Sequence, residues 1–188
     1  MGKAIGIVES VSIAKGIEAA DAMIKIALVK LYVAKTICPG KFLIIVGGDV
    51  AEVSSSVDRG VEVLKEYRVD AVVISGIHEE VLRALEGMTE IPSIKGGKEH
   101  WALGVIETFT VTACIYAADA AVKSGNVSLL EVRPAIGLGG KSFVTMIGEV
   151  SAVEAAVKAG VNRIAMEGMI LSFSVIPYIS EEVLYSLV

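Results

Sequence analysis

The sequence predicts an α/β chain of the α+β kind, built from two tandem ferredoxin-like units that each run β-α-β-β-α-β. Three observations predict it. The chain is written twice. Strand and helix signals recur in the same order in both halves. Each half begins with the same A-x-G-x-x-E strand, so neither is circularly permuted.

The repeat is direct. AIGIVESVSIAKGIEAADAMIK (4–25) aligns with ALGVIETFTVTACIYAADAAVK (102–123) without a gap. Gly6, Glu9, Asp21 and Lys25 recur as Gly104, Glu107, Asp119 and Lys123, each 98 positions on. GKFLIIVGGDVAEV (40–53) matches GKSFVTMIGEVSAV (140–153) at an offset of 100, and IHEEVLRAL (77–85) parallels ISEEVLYSL (179–187). Repeats of this kind imply similar folds and often a pseudo-symmetric pairing. The boundaries that follow are a first domain at 1–88, a linker at 89–100 within the polar stretch GMTEIPSIKGGKEH, and a second domain at 101–188.

Each element has its own signal. AIGIVE is a short strand. Ile13, Ile17, Ala20 and Ile24 fall at spacings of 4, 3 and 4, which predicts one apolar helix face; Val111, Ile115, Ala118 and Val122 repeat it. A strand near 31–35, a loop holding Cys38 and the strand FLIIV follow. Asp49 with Glu52 and Ser151 with Glu154 read as helix N-terminal signals, the second at capping-box spacing. Gly60 and Gly160 are placed to end those helices. A strand at 71–75 and a short helix at 79–85 close the first unit. Such a sheet carries helices on one face, so its other face and its edges need cover.

Composition narrows the function. Hydrophobic residues make up 54% and mean hydropathy is +0.68, which raises a membrane. No run reaches the roughly 18 apolar residues of a span, and no secretory leader is visible. The expectation is a soluble cytosolic chain whose excess apolar surface meets other subunits. A net charge of −5 without a basic run argues against nucleic-acid binding. Two cysteines suggest no disulfide framework.

Several motifs carry chemistry on paper. AIGLGGKS (135–142) is one residue from a phosphate-binding loop, with Ala135 in the first glycine position. That loop should open a helix, whereas FVTMIGEV reads as a strand, so the glycines more simply make a tight loop. Asp21–Lys25 and Asp119–Lys123 have i,i+4 ion-pair spacing; a solvated helix face is the default for each, and their recurrence favours a shared surface role. Glu9 and Glu107 end strands before helices, where accepting backbone N–H bonds outweighs a catalytic pair. His78 and His100 lack ligand spacing to either cysteine, and Cys114 lies in a helix as a small core residue. No nucleophile–base–orienter set exists, so an enzyme is not expected.

Cys38 stands apart, because KTICPGKF places it against a Pro-Gly turn that is more readily exposed than buried. One cysteine cannot hold a metal; three copies around a symmetry axis could, leaving one iron of an iron–sulfur cluster open. Lys35 and Lys41 would favour the thiolate and offset an anionic cluster. A free thiol of no special role is the alternative.

The duplicated pattern A-[IL]-G-[IV]-[IV]-E-[ST], AADA-x-x-K, GK-[FS] and G-[DE]-V resembles the bacterial microcompartment shell-protein domain over essentially the whole chain. SIAKGIEAADAMIK and KTICPGKF look closest to the T-type tandem shell proteins of propanediol-utilisation compartments. The resemblance implies a cyclic homotrimer that mimics a hexamer. It implies a flat tile packing edge to edge with other shell proteins, inside a cytoplasmic microcompartment. It implies a pore lined by Thr36, Ile37, Cys38, Pro39 and Gly40, and by Ala135, Ile136, Gly137, Leu138, Gly139 and Gly140. Lys25 and Lys123 match the tile-edge lysine. Cys38 matches a pore cysteine that, from three subunits, ligates a 4Fe–4S cluster, which would serve electron transfer with a redox partner or encapsulated enzymes. A metal-free metabolite pore, and a trimeric redox or ligand-binding protein outside any shell, remain the competing readings.

Overall fold

The computed structural model describes residues 3–87, 101–135 and 137–187. The expected linker at 89–100, with His100, lies outside them. Two compact units emerge. The first holds the chain up to Ile77 together with residues 137–140; the second holds the chain from His78 to Ala135 and from Lys141 onward.

In the first unit β1 (Lys3–Ser10), α1 (Ile13–Ile26), β2 (Lys30–Ile37), β3 (Lys41–Asp49), α2 (Val50–Leu64) and β4 (Arg68–Ser75) build an antiparallel sheet of order β2-β3-β1-β4. The second contains α3 (Glu79–Leu85), β5 (Ala102–Thr108), α4 (Val111–Ser124), β6 (Ser128–Arg133), β7 (Ser142–Gly148), α5 (Val150–Ile164), β8 (Ile170–Ile176) and α6 (Glu181–Ser186), with sheet order β6-β7-β5-β8. This is the split β-α-β arrangement in both. The repeat boundary at 88 and the compact-unit boundary at Ile77 differ by one helix: α3 belongs by sequence to the first repeat and by packing to the second unit, against β6 and α4.

Period-2 alternation places Ala4 and Val8 against the helices, where they join Met23, Phe42, Ile44, Val53, Val57 and Leu64. The alternate residues Ile5, Ile7, Leu43 and Ile45 are also fully buried, which explains why β1 and β3 read as continuous apolar runs. In the second unit Leu184 of α6 packs with Leu103, Leu130 and Ile147.

Three expectations are corrected, and a fourth, Asp49 with Glu52 at the start of α2, holds in place though not in its bonding. The core face of α1 is Gly16, Ala19, Ala20 and Met23; of the predicted stripe only Ala20 is buried, while Ile13, Ile17 and Ile24 are exposed. In α4 the equivalent stripe is buried as expected, together with the opposite face. Gly60 and Gly160 do not end helices: both are buried inside them, and a Cβ would lie 2.6 Å from Met23 Sδ or from Ile106 Cδ1. They are sites of close approach between elements, not caps. Ser151 lies inside α5, whose N-cap is Glu149. Asp49 does occupy the α2 N-cap but makes no side-chain cap bond, and Glu52 instead accepts the Leu28 N–H at 2.8 Å.

Candidate functional site

Cys38 sits where the sequence puts it, at the tip of the β2–β3 hairpin. Ile37 faces Lys41 across the ladder, so Cys38, Pro39 and Gly40 form the whole turn, closed by the Gly40 N–H donating to the Ile37 carbonyl at 3.0 Å. The Cys38–Pro39 peptide is cis, and Gly40 takes φ +80°. Cys38 is a free, half-buried thiol, with Thr36, Pro39 and Gly40 exposed around it.

The second predicted loop comes to this turn. Gly140 adopts φ +91°, and a Cβ there would lie 3.5 Å from the Cys38 carbonyl oxygen and 3.7 Å from Pro39 Cδ. Its left-handed backbone demands glycine. Gly137 and Gly139 also have positive φ, with open space where a side chain would be. The near-phosphate-loop motif is thus a side-chain-poor loop, and Ser142 starts β7 rather than a helix. Of the predicted pore residues, Ile136 lies outside the described residues. Ile37 and Ala135 are buried within the chain, at 5% and 1% exposure.

The charges around the thiol are only partly as expected. Lys35 is exposed, whereas Lys41 is held by the buried Glu9 carboxylate at 3.3 Å. Glu9 is therefore an anchor for the base of the Cys38 turn; the α1 N-terminus is capped by the Ser12 hydroxyl accepting from the Lys15 N–H instead. Sequence analysis missed this pair, although Glu9 and Lys41 each recur, as Glu107 and Lys141. Only the sheet register brings them together. Cys114 is no second ligand. It is buried in α4, and burial pushes its thiol up to about 12. Among the described residues no group of three or more His, Cys, Asp or Glu could hold a metal ion, so one chain offers a single half-exposed thiol.

His78 and Asp119 also have roles that spacing did not show. His78 caps α3, its Nδ1 accepting the Glu80 N–H at 3.2 Å, while its own backbone N–H donates to Asp119 Oδ1 at 2.8 Å. His78→Ala is expected to lower the urea midpoint by the equivalent of about 1 kcal/mol, and His78→Ser, which restores a capping oxygen, to recover most of it. Lys123 binds Asp119 Oδ2 at 2.6 Å, and the more exposed Lys25 binds Asp21 Oδ2 at the same distance.

The BMC domain family matches residues 4–77 and again 102–179. The chain belongs to the BMC-domain family. It is 45% identical over 177 residues to the bacterial microcompartment shell protein PduT of Citrobacter freundii, covering 94% of this chain and 93% of that one. A stretch of 78 residues is 44% identical to the shell protein PduA of Salmonella typhimurium LT2, covering 40% of this chain and 79% of PduA. A crystal structure of a microcompartment protein from Desulfitobacterium hafniense superposes with a TM-score of 0.90 at 45% identity, covering 96% of this chain and 97% of that one. This BMC protein is a PduT-like shell component of a bacterial microcompartment, with two BMC domains in tandem. Its relatives are structural shell proteins, not enzymes. No helix among the described residues is long and apolar enough to cross a membrane.

Proposed function

We propose that three copies form a pseudohexameric tile in which the Cys38 turns converge and hold one 4Fe–4S cluster, passing electrons across the shell. The observation that carries this reading is the half-exposed free thiol at the tip of a three-residue turn, flanked by the side-chain-poor loop at 137–140. Those residues fit a shared cluster. With Cys114 buried, one partly exposed thiol per chain demands several copies, and the neighbouring glycines leave room for an inorganic group. The cluster would supply one-electron chemistry. The chain's part is to fix the thiol by the hairpin ladder and by the Glu9–Lys41 pair at its base. Anaerobically purified or reconstituted protein should contain about four irons and four sulfides per trimer. A trimer that stays iron-free after reconstitution would leave the metal-free metabolite pore as its function.

The tile would meet its neighbours through Lys25 and Lys123. Lys25 has 71% of its side chain exposed. Lys25→Ala should weaken growth of tile sheets in electron micrographs, leave the trimer intact, and change folding stability by no more than about 0.5 kcal/mol. Unchanged sheet growth would count against an edge role.

A further inference from the structure

Helices α3 and α6 are counterparts, both starting EEVL, but they meet different surroundings. α3 packs on α4 and β6 of its own compact unit. Two hydrogen bonds fix it there: the His78 N–H to Asp119 Oδ1 at 2.8 Å, and the Leu129 N–H to Glu80 Oε2 at 3.3 Å. Val111, Ile115, Val122 and Leu129 on these receiving elements are no more than 9% exposed, and Val81 of α3 is at 0%.

The repeat contains the same two surfaces a second time, and there they are bare. On α1 and β2, Ile13, Ile17, Ile24 and Leu31 stand where Val111, Ile115, Val122 and Leu129 stand in the other half, yet are 40% to 55% exposed. On α6, Val183 stands where Val81 stands in α3, yet is 47% exposed. The polar partners recur as well. Asp21 matches Asp119 and is already turned by Lys25 on Oδ2, as Asp119 is by Lys123. Glu182 matches Glu80, and Ser180 matches His78 at the helix start. Leu31 lies opposite Val46 in the register that Leu129 holds opposite Met146, with a register shift just after each.

We infer that α6 of one copy docks on α1 and β2 of the next, with Val183 against Ile13, Ile17 and Ile24. Asp21 receives the Ser180 N–H of the neighbouring copy, and the neighbour's Glu182 receives the Leu31 N–H. This rests on the proposed trimer and names the contact that closes it. The interface is head-to-tail, joining two different patches, which is the geometry that generates a ring.

The test uses two single variants of the full chain, Ile17→Asp and Val183→Asp, each altering an already exposed residue, with circular dichroism to verify folding. Sedimentation is expected to show wild-type trimers and each variant alone as a monomer of 19.7 kDa. Mixed in equal amounts, the variants retain one intact pair of patches between them and are expected to give one-to-one heterodimers. Variants that remain trimeric would overturn the docking but leave the trimeric tile standing. A mixture that stays monomeric would show that the two patches do not meet each other. A monomeric wild-type protein would remove the trimer and this contact together.

Discussion

In protein purified without oxygen, Cys38→Ser is expected to lose all iron, all acid-labile sulfide and the visible absorbance of a cluster, while Cys114→Ser keeps them. The two thiols are opposites. Cys38 is half-buried in a three-residue turn. Cys114 is 1% exposed inside α4, with its thiol pushed up to about 12, so it stays protonated at neutral pH and has no route to a metal. Serine preserves the turn, because the closing bond runs between backbone groups of Ile37 and Gly40. The loss should therefore come without a change in folding stability beyond about 0.5 kcal/mol. Glu9→Gln adds a graded control. It removes the charge that holds Lys41 at 3.3 Å without removing the thiol, so iron should be retained but released faster to chelator. Iron that persists in Cys38→Ser would place any cluster elsewhere and end the reading of Cys38 as its ligand.

The largest effect on stability is expected at a pair that the two repeats solve differently. In the first unit Gly16 of α1 lies directly on Phe42 of β3; a Cβ on Gly16 would be 2.6 Å from the ring's Cδ1. The repeat places Cys114 and Ser142 at these two positions, so a larger helix residue accompanies a smaller strand residue. Phe42→Ser alone should cost about 3–5 kcal/mol for the emptied volume. Gly16→Cys alone should cost about 1–3 kcal/mol, because Phe42 has little room to move in a fully packed layer. The double variant should be more stable than the sum predicts by about 0.5–3 kcal/mol, as contacting sites couple. A urea double-mutant cycle measures this. Additivity within about 0.5 kcal/mol would show that the two positions do not share a volume. Recovery should be incomplete, since the Ser142 hydroxyl is itself buried without a hydrogen-bond partner among the described residues.

The same pair illustrates what a sequence can carry. The repeat made Gly16 and Cys114 equivalent, but nothing in it said that residue 42 was the compensating partner, because helix and strand are brought together by the fold. The stripe on α1 failed for a related reason. Periodicity finds an apolar face without saying what covers it, and on α1 the small residues Gly16, Ala19 and Ala20 face the sheet while the isoleucines face outward. Gly60 and Gly160 were misread because a glycine that ends a helix and one that admits a neighbour are identical in one dimension.

Alone, the sequence determined the duplication, the order of the elements, the strand that follows GKS and the turn that displays Cys38. These depend on local chemistry: period-2 runs of Ile and Val, the constraint of Pro39, and glycines at positive φ. Tertiary structure decided the rest. It gave Glu9 to Lys41, Asp119 to the His78 amide and α3 to the second compact unit. It left Ile17 and Val183 exposed while burying their counterparts. Each of these turns on groups 32 or more residues apart in the chain, or on a neighbour that one half has and the other lacks. A backbone must bend before such groups meet. Two nearly identical stretches therefore acquire different roles once one is covered and the other is not.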